Sequence, residues 1–179
     1  MDPALFEQMA LPLFDPLYNL AHWLAGNRTD AEDLVQETYA KALKGFRSFE
    51  AGTNLRAWMY RILRNTFLTS RAGLAAQKTG WLEDEDADKT EELTAHAETP
   101  ERLVLQQESQ QQVLDALASL AVGDREILLL CEVEELSYRE IAQVLDVPLG
   151  TVMSRLSRAR TRLRRALTDV PAGRTNDGV

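Results

Sequence analysis

The stretch that most restricts how this chain can fold is Ser137 to Arg165, SYREIAQVLDVPLGTVMSRLSRARTRLRR, where two helical patterns meet at a short turn. Ser137 and Glu140 have the spacing of a capping box, each side chain reaching the other's backbone N–H at a helix start. Ile141, Ala142 and Leu145 then mark the inward face, and Ala142 is small enough to let a second helix cross closely. Asp146, Val147 and Pro148 make the turn, because proline disfavours helix in the residue before it and sits well in a first helical turn. Val152, Leu156, Ala159, Leu163 and Leu167 recur at spacings of three and four, which predicts the buried stripe of the second helix. That stripe leaves Thr151, Ser154, Arg155, Arg158, Arg162 and Arg165 largely on the other side, where arginines can reach guanine edges and phosphates in a major groove. An arginine-rich helix face is ordinarily just solvated. The short, well-formed helix and turn ahead of this one make it a helix-turn-helix.

The rest of the chain is helical in pattern too, with no alternating strand and no internal repeat, so the fold class is all-α. A first helix is predicted over Pro3 to Leu24 with a break near Pro12 and Pro16, then a turn at Asn27 and Arg28. Thr29 with Glu32 has capping-box spacing and opens a helix through about Lys44. Gly45 to Thr53 reads as a loop, and Asn54 caps a third helix whose Leu55, Trp58, Ile62, Leu63 and Phe67 form the packed side. Residues 1–74 are therefore one compact unit. Over 75–99 the periodicity fades and acids dominate, which predicts a flexible linker. Thr99 and Pro100 resemble an N-cap and first-turn proline. Val104, Val113, Leu114, Leu117 and Leu120 give a helix, and Asp124 caps another through about Glu134. With the helix-turn-helix these make a second four-helix domain over 100–168, followed by a disordered tail at 169–179.

A formal net charge of −8 is unexpected for a DNA binder until it is divided by segment. Glu83, Asp84, Glu85, Asp86, Asp88, Glu91, Glu92 and Glu98 stand against Lys89 alone, whereas Ser137 to Leu167 carries seven arginines against Glu140 and Asp146. A basic C-terminal module thus follows an acidic centre, which is placed to screen it from nonspecific DNA. The single cysteine, Cys131, excludes an internal disulfide and cannot by itself build a cysteine zinc site; in the apolar run EILLLCEV it reads as a small core residue. No apolar run approaches the roughly 18 residues of a membrane span, and the start MDPALFEQMALPLF is unlike a signal peptide, so the expected location is cytoplasmic. There is no nucleophile–base pair, phosphate-binding glycine loop or metal-ligand cluster, so neither an enzyme nor a cofactor site is expected. His22, beside Trp23, reads as a helix-packing residue, and His96 as a linker residue.

Two further segments define what kind of DNA protein this is. In DAEDLVQETYAKALKGF, Leu34, Thr38 and Ala42 can face the core, which leaves Asp33, Gln36, Glu37 and Lys41 on a polar surface. In GTNLRAWMYRILRNTFL, aromatic residues alternate with Arg56, Arg61 and Arg64. Trp58 reads as core. Phe46, Phe49 and Tyr60, near loop glycines and basic residues, suit an unstacked base.

AEDLVQETY, TNLRAWMYRILRN and GTVMSRLSRAR, in that order, resemble the bacterial sigma-70 superfamily and specifically its short extracytoplasmic-function class, over about residues 5 to 72 and 100 to 168. That class is similar in having only sigma domains two and four, all-helical and joined by a linker. The resemblance implies a removable promoter-specificity subunit, with RNA polymerase core and promoter DNA as partners. Asp33, Leu34, Gln36, Glu37 and Lys41 match the helix that docks on the core. Phe46, Phe49, Thr53 and Asn54 match the loop that captures a flipped base of the minus-10 element. Arg56, Trp58, Tyr60, Arg61, Arg64 and Asn65 match the adjacent melting helix. Arg139, Thr151, Ser154, Arg155 and Arg158, with Arg162 on the same face, match the surface that binds the minus-35 duplex. QETYAKA, GTNLRAW, YRILRNTF and PLGTVMSRL are closer still to the subgroup controlled by zinc-containing, thiol-redox anti-sigma factors, which implies an anti-sigma partner. LTSRAGLAAQKTGW departs from that subgroup's basic helix end. The alternative reading, an autonomous operator-binding regulator, accounts for the helix-turn-helix but not for the first domain.

Overall fold

The structure, a computed structural model, describes residues 3–50, 52–70 and 110–169. The predicted linker over 75–99, the Thr99–Pro100 cap, His96, Val104 and the tail beyond 169 lie outside the described residues.

The predicted break in the first helix is present: α1 (Pro3–Ala10) leads through a 3-10 turn, Leu11–Leu13, into α2 (Phe14–Ala25). Pro12 has no amide hydrogen to give an α-helical ladder, whereas Pro16 lies in the first turn of α2, where that loss costs nothing. Gly26 ends α2 at φ 79, a left-handed stop that donates its N–H to the His22 carbonyl at 2.9 Å. The long α3 (Arg28–Gly45) is capped by Asn27, whose side chain accepts from the Asp30 N–H at 2.9 Å. The expected Thr29–Glu32 box does not form. Asn27 is as good a cap as threonine, and starting there leaves Glu32 to accept from Arg28 Nε at 2.7 Å. After a 3-10 turn at Phe46–Ser48 comes α4 (Leu55–Thr69), capped as predicted by Asn54, which accepts from Arg56 N at 3.0 Å and Ala57 N at 3.3 Å. Helix α3 packs between α2 and α4.

The second domain starts with α5, described over 110–118, and α6 (Val122–Leu128), which widens into a π-helical turn at Leu129–Val133. Asp124 is not the cap of α6. Ala121 precedes that helix without a side-chain cap, and Asp124 in its first turn accepts from Arg162 Nη1. The helix-turn-helix follows as α7 (Tyr138–Leu145) and α8 (Leu149–Asp169). Both halves of the Ser137–Glu140 capping box are made, and Asp146 at φ 53 ends α7. Val152, Leu156 and Ala159 are buried, Leu163 packs partly against the core, and Leu167 at 38% exposure lies outside the stripe.

The two domains share one core, with α7 laid on α4 and α6 on α2. Helix α4 is therefore covered from two sides. Ala57, Met59, Tyr60, Leu63, Arg64, Thr66, Phe67 and Leu68 are all buried, a spread far wider than one amphipathic stripe. Among the described residues no helix is long and apolar enough to cross a membrane.

Candidate nucleic-acid and polymerase-binding surfaces

On α8 the side chains of Ser154, Arg158, Arg162 and Arg165 are exposed, with Thr151 and Arg155 half-buried and Arg139 exposed on α7. The first turns of α8 and the outer side of α7 thus form one basic surface around the turn, the arrangement a major-groove reader requires. Its rim is held by acids of the same domain. Arg162 meets Asp124, and Arg160 donates to Glu132 at 3.0 and 2.7 Å, a bond that raises the already high guanidinium pKa. Arg158 has only a long contact to the Ser154 carbonyl at 3.4 Å, so it is less committed within the fold than Arg160. Cys131 is half-buried with Sγ 3.6 Å from Arg160 Nη2, and burial pushes its thiol pKa up, away from the reactive thiolate.

Along α3 the polar surface matches the sequence pattern, with Asp33, Gln36, Glu37 and Lys41 all exposed. Lys41 pairs with Glu37 at 2.7 Å and reaches Thr66 Oγ1 at 3.3 Å. Leu34 does not belong to that surface: it is 6% exposed and supports α3 from the core side.

The loop before α4 departs further from expectation. Phe46, Phe49 and Tyr60 are not available to an unstacked base in this conformation, being 4%, 7% and 0% exposed. Phe46 meets Phe6 at 5.1 Å and Phe49 at 5.9 Å, and Phe49 meets Trp58 at 5.3 Å between ring centroids. A base stacks on an open ring face, and these faces are spent on one another. What the loop and helix do expose is Thr53, Asn54, Arg61 and Asn65, with Arg56 and Trp58 half-buried and Arg64 buried. Arg61 lines an open hollow with Ala142, Gln143, Asp146, Val147 and Pro148, beside the helix-turn-helix turn.

The partners of the buried basic residues come from the second domain. Glu134 accepts from both Arg56 Nη2 and the Tyr60 hydroxyl, and burial together with that acceptor holds the Tyr60 pKa above its ordinary value. Asn54 donates its side-chain amide to Glu140 at 2.5 Å, the main reason the Glu140 carboxyl titrates below the usual carboxylate range. Arg64 Nε faces Glu126 at 3.3 Å. Glu126 is 1% exposed, neither of its oxygens has an aligned hydrogen-bond donor, and burial pushes its pKa up to about 7 against the pull of Arg64. Arg125 crosses between the domains as well, donating to the Trp23 carbonyl at 3.0 Å and lying 5.7 Å over the Trp23 ring. None of these four residues was singled out from the sequence for a contact between domains. For Arg125, Glu126 and Glu134 the available signal was an acid or arginine inside the apolar run DREILLLCEVEEL, where a charge must find a partner or stay neutral. Among the described residues no group of three or more His, Cys, Asp and Glu side chains is placed to hold a metal ion.

Comparison with known proteins accounts for both domains. The sigma-70 region 2 family profile matches residues 13–75, and the sigma-70 region 4 profile matches residues 110–163. The chain is 36% identical over 168 residues to the ECF RNA polymerase sigma factor SigE of Mycolicibacterium smegmatis, covering 88% of this chain and 63% of that longer protein. It is 30% identical over 162 residues to the ECF RNA polymerase sigma factor SigW of Bacillus subtilis, covering 87% of this chain and 85% of SigW. Among solved structures it resembles the sigma factor RpoE of Bartonella quintana in complex with the anti-sigma factor NepR, with a TM-score of 0.66, 31% identity, and coverage of 92% of this chain and 98% of that one.

Proposed function

Because this chain belongs to the extracytoplasmic-function sigma-70 family, we infer that it directs RNA polymerase core to a set of promoters and assists their opening. The observation that carries this reading is the pairing, in one chain, of a region 2 domain bearing an exposed polar helix with a region 4 helix-turn-helix bearing exposed arginines. Duplex readout needs donors in a groove, whereas opening needs extruded bases held outside the stack. Two domains with different surfaces suit those two tasks.

In this reading Asp33, Gln36, Glu37 and Lys41 dock on the core, while Arg139, Thr151, Ser154, Arg155 and Arg158 read the minus-35 duplex, with Arg162 joining them once its pair with Asp124 opens. Thr53, Asn54, Arg56, Arg61, Arg64 and Asn65 take the minus-10 strand. Phe46, Phe49, Trp58 and Tyr60 hold the shape of the loop and helix that present those residues. The protein acts as an initiation factor in the cytoplasm, with no covalent chemistry of its own. An anti-sigma factor restrains it, as the likeness to a NepR-bound sigma factor supports. The finer assignment, to antagonists that hold zinc and sense thiol oxidation, rests on the QETYAKA, GTNLRAW and PLGTVMSRL motifs. Release of this chain from its co-purified antagonist by diamide or a zinc chelator is the expected result, and an indifferent complex would remove the assignment.

In vitro transcription with core polymerase on a genomic fragment library tests the main function. Discrete new transcripts that depend on this chain are expected. Protection of duplex operators by the chain alone, with no transcript from the core it is added to, would instead establish the autonomous regulator.

A further inference from the structure

We propose that Met153, flanked by Leu149 on the side of α8 away from its arginines, selects a thymine by its C5-methyl group at one base pair of the minus-35 duplex. The proposal rests on the sigma-factor reading above, which brings a promoter duplex to this helix, and it adds the base that the apolar flank chooses.

Turning by about 100° per residue, α8 carries Val152, Leu156 and Ala159 into the core. Around the rest of the helix, Thr151, Arg155 and Arg162 fall on one flank, Gly150, Ser154 and Arg158 along the middle, and Leu149 with Met153 on the other flank. Leu149 and Met153 are 43% and 55% exposed, and four residues apart they are neighbours on the helix surface. A single apolar side chain left in water needs no explanation. Two side by side lie here in the opening turns of a recognition helix, the part that meets base edges. The arginine on that flank, Arg160, donates to Glu132 at 3.0 and 2.7 Å, so its guanidinium is spent within the domain. What the flank offers a base is therefore apolar surface. Of the four bases thymine alone carries a methyl group in the major groove, and covering that methyl with the Met153 side chain removes apolar area of both partners from water.

Gly150 supplies a second observation. It lies within the helix, and among the described residues nothing beyond its own chain surroundings stands within 4 Å of where a Cβ would be, so packing does not call for glycine there. Glycine weakens a helix relative to alanine. What it provides is clearance between Met153 and Ser154 on the outward side, where a duplex lies closest. That clearance lets the helix sit deep enough for Met153 to touch a base edge.

The test uses holoenzyme, core polymerase with the full chain, and a duplex fragment of a promoter that it transcribes. Each thymine of the minus-35 region, on either strand, is replaced in turn by deoxyuridine, which removes the methyl and keeps every groove donor and acceptor. Affinity is read by competition at one fixed salt concentration. With the wild type, one replacement is expected to weaken binding about fourfold, the effect of uncovering one methyl-sized group. Met153→Ala should bind the unmodified promoter about fourfold more weakly and be indifferent to that replacement. Met153→Leu should keep the sensitivity, and Val133→Ala, exposed elsewhere in the domain, should match the wild type. Gly150→Ala should keep or raise the thermal midpoint while lowering promoter affinity. A wild type indifferent to every replacement, a minus-35 element with no thymine on either strand, Met153→Ala as sensitive as the wild type, or Gly150→Ala with wild-type affinity would overturn the methyl selection. Should circular dichroism show Met153→Ala unfolded, Met153→Gln, similar in length with a polar end, decides the matter by the same loss of sensitivity. Run-off transcription separates the two levels. Transcripts from the wild type without methyl dependence refute the thymine selection alone, and no transcript from any genomic fragment refutes the sigma-factor reading on which it stands.

Discussion

Phe49 distinguishes a ring that meets DNA from a ring that holds the loop in place, and Phe49→Ala is the decisive perturbation. At 7% exposure the side chain is nearly all removed from water, stacked near-parallel on Phe46 and tilted against Trp58. Buried Phe→Ala changes cost about 3–5 kcal/mol, transfer and cavity together, and each aromatic pair adds about 0.5–1.5 kcal/mol beyond its area. The site borders the exposed residues Ser48 and Glu50, where the chain can partly collapse into the gap, so the lower half of that range applies. A loss of about 3 kcal/mol is a large share of the 5–15 kcal/mol typical of a domain. Urea unfolding followed by tryptophan fluorescence should therefore move to a clearly lower midpoint, with Trp58 itself reporting the repacking. Opening of an intact promoter, read by permanganate reactivity of unpaired thymines, should fall only in proportion to the fraction unfolded. A variant of wild-type stability that fails to open a duplex promoter, and is rescued by a premelted bubble, would refute the core assignment and return Phe49 to the strand.

Arg158→Ala should weaken minus-35 recognition by about 1–3 kcal/mol if its guanidinium reads a base edge; anisotropy titrations that show equal losses on cognate and scrambled duplexes, with a shallower salt slope, would assign the contact to phosphate. Reversing charge at Asp33 and Glu37 together should lower affinity for polymerase core while leaving helix content intact, because both are exposed on α3 one turn apart; normal holoenzyme assembly by gel filtration would remove that role. Glu126 sets a pH dependence: its native pKa of about 7 lies above the ordinary 4.5, so its contribution to stability is complete below pH 4.5 and is lost as pH rises through 7. The loss is on the order of 3 kcal/mol, and Glu126→Gln should flatten this part of the stability profile between pH 5 and 8; an unchanged profile would mean that Glu126 ionises without penalty.

Local rules recovered what is local. The capping box at Ser137, the cap at Asn54, the proline break between α1 and α2, and the exposed polar row on α3 all follow from interactions within a few residues, and each is present. The misplaced starts of α3 and α6 are also local, and they show the weakness of the method. Thr29 with Glu32 and Asp124 had the right chemistry, but Asn27 offered an equal cap earlier and Arg162 claimed the Asp124 carboxylate. Helix α4 matches its pattern only in part, for a different reason. Of the predicted packed side Leu63 and Phe67 are buried, but Leu55, Trp58 and Ile62 are only partly so, while Tyr60 and Arg64, outside that predicted set, are closed over. Helical periodicity describes burial against one neighbour. Here a second neighbour arrives from more than 60 residues away in sequence, carrying its own acids, and no window of local sequence contains it.

That double burial also bears on why basic and aromatic residues are interleaved along α4. A helix built only to pack would place leucine at 56, 60 and 64, and one built only to bind DNA would keep all three positions wet. Arg56, Tyr60 and Arg64 are compatible with either condition, because a guanidinium or phenol hydroxyl accepts burial if an oxygen anion comes with it. Here the acids of the second domain satisfy that requirement, Glu134 for Arg56 and Tyr60 and Glu126 for Arg64.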